Sequence, residues 1–220
     1  MKHGAIFDMD GTLFDTESIY RQGWIEIADN FGVERKPELA TAISGSNIAD
    51  MPAIVHRFHP SVDENEYVNQ VIDFTKDKFN KNIKLMAGVI EILEYFKSKN
   101  IKMAIASSSD ISIIKRNIKR ADIEKYFSAL VGGDQIVHGK PAPDIFLKAA
   151  EEIHLDPKDC YVFEDSMNGI RAAAAANCIP ISIPIMVIDQ VEPTDEVRAL
   201  CAGVYNSFIE VLEDLRENKI

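Results

Sequence analysis

Two aspartates stand one residue apart where the first apolar run of the chain ends. Asp8 and Asp10 follow the apolar residues 5–7 in the segment IFDMDGTLFD. Side chains at this spacing point to the same side of an extended backbone, and each negative charge makes the other carboxyl harder to ionise. Such a pair is useful where one carboxylate attacks as a nucleophile beside a general acid, or where both face a cation. Gly11 follows the pair and allows a tight turn there.

Similar polar side chains follow the later apolar runs. They are Ser107, Ser108 and Ser109 after residues 101–106, Lys140 in the segment HGKPAPD, and Glu164 and Asp165 after residues 161–163. If these runs are parallel strands, their carboxyl ends share one edge of a sheet, where the groups converge with Asp8 and Asp10. Crowded carboxylates repel one another unless a cation joins them, and an oxygen-rich site completed by water suits Mg²⁺. The sequence therefore predicts a magnesium site at this edge.

The same groups suit an attack on a phosphate ester. A carboxylate that approaches a phosphate dianion is repelled by several kcal/mol unless positive charge is already present. Mg²⁺ and Lys140 would supply that charge, so that Asp8 can attack phosphorus and form an aspartyl phosphate. Asp10 would protonate the leaving oxygen and later deprotonate water, and we expect its anionic neighbour to raise its pKa.

Short apolar runs alternate with helical patterns, which indicates an α/β protein with helices on both faces of a parallel sheet. The predicted strands are residues 5–7, 101–106, 129–131, 161–163 and 179–183, with a weaker candidate at 204–205. The clearest helical patterns of this part are residues 89–96, 145–153, 171–176 and 208–215. Residues 16–82 show only helical spacing. We therefore predict a core from residues 1–15 and 83–220, with an all-helical cap domain at 16–82 that acts as a lid.

Composition excludes several classes of partner. The 220 residues carry 35 acidic and 24 basic side chains, a net charge of −11, and the basic residues are scattered. We therefore expect neither a nucleic-acid partner nor a membrane surface. The three cysteines form no CxxC pair, which is typical of reduced thiols, and charged residues near the start argue against a secretory signal. We expect a cytoplasmic monomer.

Four motifs occur in order along nearly the whole chain. They are DMDGTLFD at 8–15, the serines that begin with Ser107, KPAPD at 140–144 and FEDS at 163–166. Together they resemble the haloacid dehalogenase-like superfamily. The helical insert, with KPAPD and the EDSxxG that ends at Gly169, is similar to its β-phosphoglucomutase-like branch. The resemblance implies a Rossmann-like core, a Mg²⁺ cofactor and an aspartyl-phosphate intermediate.

The resemblance also implies a role for each motif residue. The implied catalytic residues are Asp8, Asp10, Ser107 and Lys140, and the implied metal ligands are Asp8, Asp10, Glu164 and Asp165. Asp8 is the nucleophile, and Asp10 is the acid and base and offers its backbone carbonyl to the metal. Ser107 and Lys140 hold the transferring phosphoryl group. Glu164 either ligates the metal or supports a ligand from behind. The dehalogenase branch has no acid at the position of Asp10, so dehalogenation is set aside.

The substrate depends on the residues around the leaving group. The candidate substrate contacts are Gly45, Ser46, Asn47, Ser108 and Ser109. In the branch that the chain resembles, the loop containing the first three enters the site, and small polar residues there suit hydrogen bonds to hydroxyls. The two serines either contact substrate or cap the helix predicted to begin near Ile111.

The resemblance leaves a choice between net hydrolysis and phosphoryl transfer within one substrate. A phosphomutase must hold a second phosphate with additional cations. The β-phosphoglucomutase pattern has an arginine in the cap loop, a lysine after the serines and a histidine in the cap. The chain instead has Asn47 or Ile48, Asp110 and Tyr20 at these places. We therefore expect a phosphatase for a small phosphorylated metabolite, a sugar or polyol phosphate. The alternatives are a phosphohexomutase and a non-catalytic phospho-aspartate signalling or binding module.

Overall fold

The computed structural model describes residues 2–43, 50–81, 83–183 and 194–220 of the chain. It consists of two compact units, Met1–Phe14 with Leu85–Ile220 and, inserted between these segments, Asp15–Lys84. We call them the core unit and the helical unit. The bounds predicted from the sequence were 1–15 with 83–220, and 16–82, which differ from these by one or two residues.

The helical unit contains no strand within its described residues. Its helices are α1 (Thr16–Glu26), α2 (Pro37–Ile43), α3 (Met51–Phe58) and α4 (Glu64–Lys81). The interior is built around Tyr67, which is fully buried and lies parallel to Trp24 with ring centroids 6.4 Å apart. The Tyr67 hydroxyl donates to the Trp24 carbonyl oxygen at 2.8 Å, which satisfies the polar end of a buried ring. Tyr20, which stands where the β-phosphoglucomutase pattern has a histidine, is exposed.

The core unit contains a six-stranded parallel sheet. Its strands are β1 (Gly4–Phe7), β2 (Lys102–Ser107), β3 (Ala129–Gly132), β4 (Cys160–Glu164), β5 (Ile179–Ser182) and β6 (Gly203–Val204). They lie in the order β3-β2-β1-β4-β5-β6, which is the order of a Rossmann-like fold. The prediction of an α/β fold with a parallel sheet is confirmed, and each observed strand overlaps a predicted one.

Helices cover both faces of this sheet. They are α5 (Val89–Ser98), α6 (Ile111–Arg120), α7 (Asp144–Glu152), α8 (Met167–Ala175), α9 (Asp195–Leu200) and α10 (Phe208–Arg216). On one face, buried alanines of α7 and α8 pack against Ile6 and Val162, and their small side chains let the helices approach the strands closely. Within the described ranges, no helix combines the length and apolar character needed to cross a bilayer.

The other face of the sheet is packed with aromatic rings around Phe7. This side chain is fully buried on the central strand β1. Its ring lies against those of Phe96, Phe127, Phe163 and Phe208, at centroid distances of 6.2, 6.0, 4.9 and 5.9 Å. Because Ile6 points to the opposite face, both sides of β1 are held by packing immediately before the first aspartate.

The register of the strands brings the predicted groups to one edge. Phe7 is paired with Ile105 of β2 and Phe163 of β4. Asp8 is the first residue beyond β1, and its N–H donates to the Phe163 carbonyl oxygen at 3.0 Å. Ser107 and Glu164 end the two neighbouring strands. The carboxyl edge of the central strands therefore carries the hydroxyl and carboxyl groups.

We expect Phe7→Ala to lower the free energy of unfolding of the core unit by about 3–5 kcal/mol, because it removes a ring from a fully packed interior. Urea denaturation followed by circular dichroism measures this. Leu147→Ala on α7 is the matched control, since Leu147 is 43% exposed, and it should change the free energy by less than about 1 kcal/mol. Equal effects of the two substitutions would contradict the central role of Phe7.

Candidate active site

Lys140 joins two carboxylates at the carboxyl edge of the sheet. Its ammonium donates to Asp8 Oδ1 at 2.5 Å, to Glu164 Oε1, and to the Ala106 carbonyl oxygen at 3.5 Å. The side chains are almost completely buried, with exposed fractions of 8% for Lys140, 9% for Asp8 and 1% for Glu164. The ammonium also lies 5.1 Å from the centre of the Phe146 ring on α7. Lys140 is thus held by charge and by packing.

Glu164 is oriented from its other side by the beginning of α8. Its Oε2 accepts hydrogen bonds from the Ser166 N–H at 3.0 Å and the Ser166 hydroxyl at 2.9 Å. The same hydroxyl accepts from the Gly169 N–H at 3.1 Å and caps the helix. A Cβ at position 169 would lie 1.8 Å from Glu164 Oε1, so only glycine leaves room for the carboxylate. This is the physical reason for the serine and the glycine in EDSxxG.

Asp10 is followed by a tight turn, and its side chain is hydrogen bonded to the loop after β2. Gly11 has φ +78°, and its N–H donates to the Phe14 carbonyl oxygen at 2.9 Å, so the predicted turn is present. The Ser109 hydroxyl donates to Asp10 Oδ2 at 2.8 Å. The Ser107 side chain is near enough to Asp10 to lower the pKa of that carboxyl, against the larger effect of burial. Two of the predicted serines therefore meet the second aspartate of the pair.

The serines of the loop after β2 make other contacts than those of a helix cap. Buried Ser107 accepts the Ser109 N–H on its Oγ at 3.1 Å, while Ser108 is exposed. The N–H of Ile111, at the start of α6, donates to Asp134 Oδ1 at 2.9 Å. An aspartate from the loop after β3 thus fills the capping role that the sequence offered to the serines, because the two loops are neighbours only in the folded sheet.

Asp165 follows the strand that is next in the sheet to the one followed by Asp8 and Asp10. It follows β4, the neighbour of β1, and is half-buried. The buried Thr12 donates its hydroxyl to Asp165 Oδ1 at 3.4 Å. Sequence reasoning did not assign a role to Thr12 or Ser166, although both stand inside the quoted motifs DMDGTLFD and FEDS. Their positions in those motifs were the available signal.

Burial dominates the acid–base properties of the site. Burial raises the pKa of Asp8 to about 8, with further increases from Glu164 and Asp10 and an opposing decrease from Lys140. Burial also raises the pKa of Asp10, against hydrogen bonds from the serines. The predicted direction for Asp10 is therefore correct, but its cause is desolvation rather than the anionic neighbour. Burial lowers the pKa of Lys140, but the attraction of Asp8 and Glu164 outweighs burial and raises it overall.

The donor set fits a hard dication that keeps part of its water shell. Within the described residues, the carboxylate, imidazole and thiol side chains form no group of three or more that could hold a metal ion by itself. Mg²⁺ does not require one, because it is commonly bound by one or two carboxylates, with water and substrate phosphate as the other ligands. Asp8, Asp165 and the backbone carbonyl of Asp10 offer such oxygens. Both carboxylate oxygens of Glu164 accept hydrogen bonds from Lys140 or Ser166.

The predicted loop contacts Gly45, Ser46 and Asn47 lie outside the described residues. The structure brings Asp8, Lys140 and Glu164 together, and separately joins Asp10 with Ser107 and Ser109. Each of these groups belongs to the core unit.

Comparison with known proteins gives a consistent picture. The model of the family described as haloacid dehalogenase-like hydrolase matches residues 5–183. A phosphorylated carbohydrates phosphatase from Thermotoga maritima is 36% identical over 173 residues, which cover 78% of this chain and 80% of the relative. The fructose-1-phosphate phosphatase YqaB of Escherichia coli is 28% identical over 186 residues, 83% of this chain and 97% of the relative. A β-phosphoglucomutase-like structure from Thermotoga maritima superposes with a TM-score of 0.80 at 30% identity, covering 99% of each chain.

We expect Gly169→Ala to destabilise the core unit by at least about 1 kcal/mol, because the new Cβ collides with the Glu164 carboxylate. Helix propensity alone predicts the opposite sign, a gain of about 1 kcal/mol. Gly139→Ala is the control, since nothing lies within 4 Å of a Cβ at position 139. Urea denaturation measures both, and a stabilised Gly169→Ala would show that position 169 has room for a side chain.

We expect Lys140→Met to lower the free energy of unfolding by about 3–5 kcal/mol at pH 7, because two buried carboxylates lose their cation. Lys140 lowers the pKa of Asp8, so without the ammonium that pKa lies still further above the unfolded value of about 4, and the folded protein gains more stability by binding a proton as the pH falls. The deficit should therefore be smaller at about pH 5.

The control for Lys140→Met is Lys158→Met. Lys158 forms an exposed ion pair with Asp156 at 2.8 Å. Loss of such an exposed pair should change the free energy of unfolding far less than Lys140→Met does, and by a similar amount at either pH. Urea denaturation in the presence of EDTA measures the free energy of unfolding of both variants and of the unmodified protein at the two pH values. If Lys140→Met lowered this free energy no more than Lys158→Met, the result would contradict a buried charge cluster held by Lys140.

Proposed function

The chain belongs to the haloacid dehalogenase-like hydrolases, and we propose that within this family it hydrolyses a small sugar or polyol phosphate through an aspartyl phosphate on Asp8. Its relatives include named phosphatases of phosphorylated sugars and hexitols, and the chain is a phosphoric monoester hydrolase. The observation that carries the proposal is the buried ammonium of Lys140, 2.5 Å from Asp8 Oδ1.

Asp8 is the proposed nucleophile. Its carboxylate attacks phosphorus while the bond between phosphorus and the leaving oxygen breaks. Lys140 offsets the repulsion between this carboxylate and the incoming phosphate, and Glu164 holds Lys140 in place. We therefore assign Glu164 to the orientation of Lys140 rather than to the metal. Ser107 is buried at the end of β2, the strand next to β1, which supports the proposal that it donates a hydrogen bond to the phosphoryl group.

Asp10 is the proposed acid and base. In the first half of the reaction it gives a proton to the leaving oxygen. In the second half it takes a proton from the water that attacks the aspartyl phosphate. A neutral carboxyl is needed first, and burial, which raises the pKa of Asp10, favours that form.

Mg²⁺ fits the oxygen donors of Asp8, Asp165 and the Asp10 backbone carbonyl. When bound, it supplies positive charge against the negative charge of the phosphoryl group. Thr12 donates to Asp165 Oδ1 and thereby limits how that carboxylate can turn.

We propose that the leaving group is selected outside this charge cluster, by the inserted helical unit and its loop around Gly45, Ser46 and Asn47. The relatives named above act on phosphorylated carbohydrates and fructose 1-phosphate, which supports a polyhydroxylated leaving group. Cys160 and Cys178 are buried and form no disulfide with each other. Free thiols of this kind suit the reducing cytoplasm, which we propose as the location of the protein.

Phosphate release from a panel of sugar and polyol phosphates in the presence of Mg²⁺ tests the function. We expect Asp8→Asn to reduce release to the background rate, because an amide cannot accept the phosphoryl group. EDTA should have the same effect on the unmodified enzyme, and added Mg²⁺ should restore activity. Asp122→Asn is the control, since the Asp122 side chain is 93% exposed and is not part of the site.

Two outcomes would overturn the phosphatase assignment. Isomerisation of a hexose phosphate without phosphate release would identify a phosphohexomutase. A long-lived phosphoaspartate without turnover would identify a signalling module.

A further inference from the structure

We propose that Ser109 is a positioning residue that orients the Asp10 carboxyl for proton transfer in both halves of the reaction. The inference rests on the proposed function, in which Asp10 is the acid and base. It starts from one contact, the hydrogen bond from the Ser109 hydroxyl to Asp10 Oδ2 at 2.8 Å. The two residues lie 99 positions apart in sequence and meet because β2 lies next to β1.

The backbone of Ser109 is fixed at both of its polar groups. Its N–H donates to Ser107 Oγ at 3.1 Å, and its carbonyl oxygen accepts the Gly133 N–H at 3.0 Å. A Cβ at position 133 would lie 2.3 Å from the Ser108 carbonyl oxygen, so the loop after β3 packs directly on the loop that carries Ser109. The hydroxyl is therefore presented to Asp10 by a rigid pair of loops.

This hydrogen bond determines which oxygen of Asp10 carries the proton. A neutral carboxyl has one O–H and one carbonyl oxygen, and the carbonyl oxygen accepts hydrogen bonds. Because the Ser109 hydroxyl donates to Oδ2, the proton of the neutral form is placed on Oδ1. The side chain then offers one defined donor to the leaving oxygen instead of two interchangeable ones.

The hydrogen bond from Ser109 to Asp10 is compatible with both halves of the reaction, in which Asp10 first gives and then takes a proton. As the bond from Asp8 to phosphorus forms and the bond to the leaving oxygen breaks, the proton on Oδ1 moves to that oxygen. As water attacks and the bond to Asp8 breaks, Oδ1 takes a proton from the water. The Ser109 hydroxyl stays on Oδ2 in both steps, so the net result is alcohol and inorganic phosphate with Asp10 restored.

Two other roles for Ser109 fit the structure less well. A cap of α6 is excluded by the Ile111 N–H, which donates to Asp134 Oδ1 at 2.9 Å. A role limited to binding the phosphoryl group is served by the neighbouring Ser107, whereas the Ser109 hydroxyl is directed at Asp10.

The test compares p-nitrophenyl phosphate with benzyl phosphate. The nitrophenolate leaves without a proton, whereas the benzyl alkoxide must be protonated as it leaves, so only the second ester depends strongly on the acid. We expect Ser109→Ala to lower kcat/KM for benzyl phosphate by about 10-fold or more, and to change that for p-nitrophenyl phosphate by less than about 3-fold. The parameter kcat/KM is chosen because it reports the steps up to the departure of the leaving group.

Further variants separate positioning from a structural effect. Ser109→Thr keeps a hydroxyl and should recover most of the benzyl phosphate activity. Ser109→Cys keeps the size of the side chain but donates weakly, and should show the same selective loss even if Ser109→Ala folds poorly. In an Asp10→Asn background, Ser109→Ala should cause no further loss for benzyl phosphate, since both act through one group.

Ser128→Ala is the matched control. The Ser128 hydroxyl also donates to an oxygen, the Met103 carbonyl at 3.0 Å, but at the opposite end of the sheet. It should leave kcat/KM for both esters unchanged within about 2-fold. Equal losses on both esters, or none on benzyl phosphate, in Ser109→Ala would overturn the positioning role while leaving the phosphatase intact. An unmodified enzyme that releases phosphate from neither ester, nor from any member of the sugar and polyol phosphate panel, would overturn the proposed function itself.

Discussion

The structure depends on one buried ammonium between two buried carboxylates. Burial of the Asp8 and Glu164 carboxylates without a cation would be costly, because removal of a charge from water costs several kcal/mol. Lys140 compensates both, and burial lowers its own pKa less than the two carboxylates raise it. The arrangement leaves excess negative charge, with Asp10 nearby, and this excess favours a dication. The ammonium that stabilises the fold at this edge is thus the same group that we propose allows an anion to attack an anion.

The neighbouring residues act by restricting movement. Ser166 and Gly169 fix Glu164, one with hydrogen bonds and the other by leaving space. Phe7 and Ile6 hold the strand that ends at Asp8 from its two faces. A charged group whose support is rigid does not have to be reorganised when charge develops in the reaction, which is where preorganised sites gain most of their effect. Packing and chemistry are therefore linked through β1.

The sequence was sufficient for features that depend on local patterns. Apolar runs identified the strands, and polar residues directly after them identified Asp8, Ser107 and Glu164, because the end of a strand is a local event. Partners across loops were not predictable in this way. Asp134 caps α6, and Ser109 meets Asp10, only because β3, β2 and β1 are neighbours in the sheet. Helix α9 was also missed, since Asp195–Leu200 is too short for a clear period and is marked mainly by the cap at Thr194.

The charge cluster supports our proposal that the chain catalyses hydrolysis rather than phosphoryl transfer within one substrate. Lys140 is fully engaged by Asp8 and Glu164, so it can serve the reacting phosphoryl group but not a second, distant phosphate. A mutase needs another cation near the loop after β2, and the residue that follows the serines there is the exposed carboxylate of Asp110. A second phosphate would meet a like charge at that point, whereas a neutral hydroxylated leaving group would meet a hydrogen-bond acceptor. A phosphorylated acceptor would be repelled at this point and water would not, which is why we propose water as the acceptor for the phosphoryl group on Asp8.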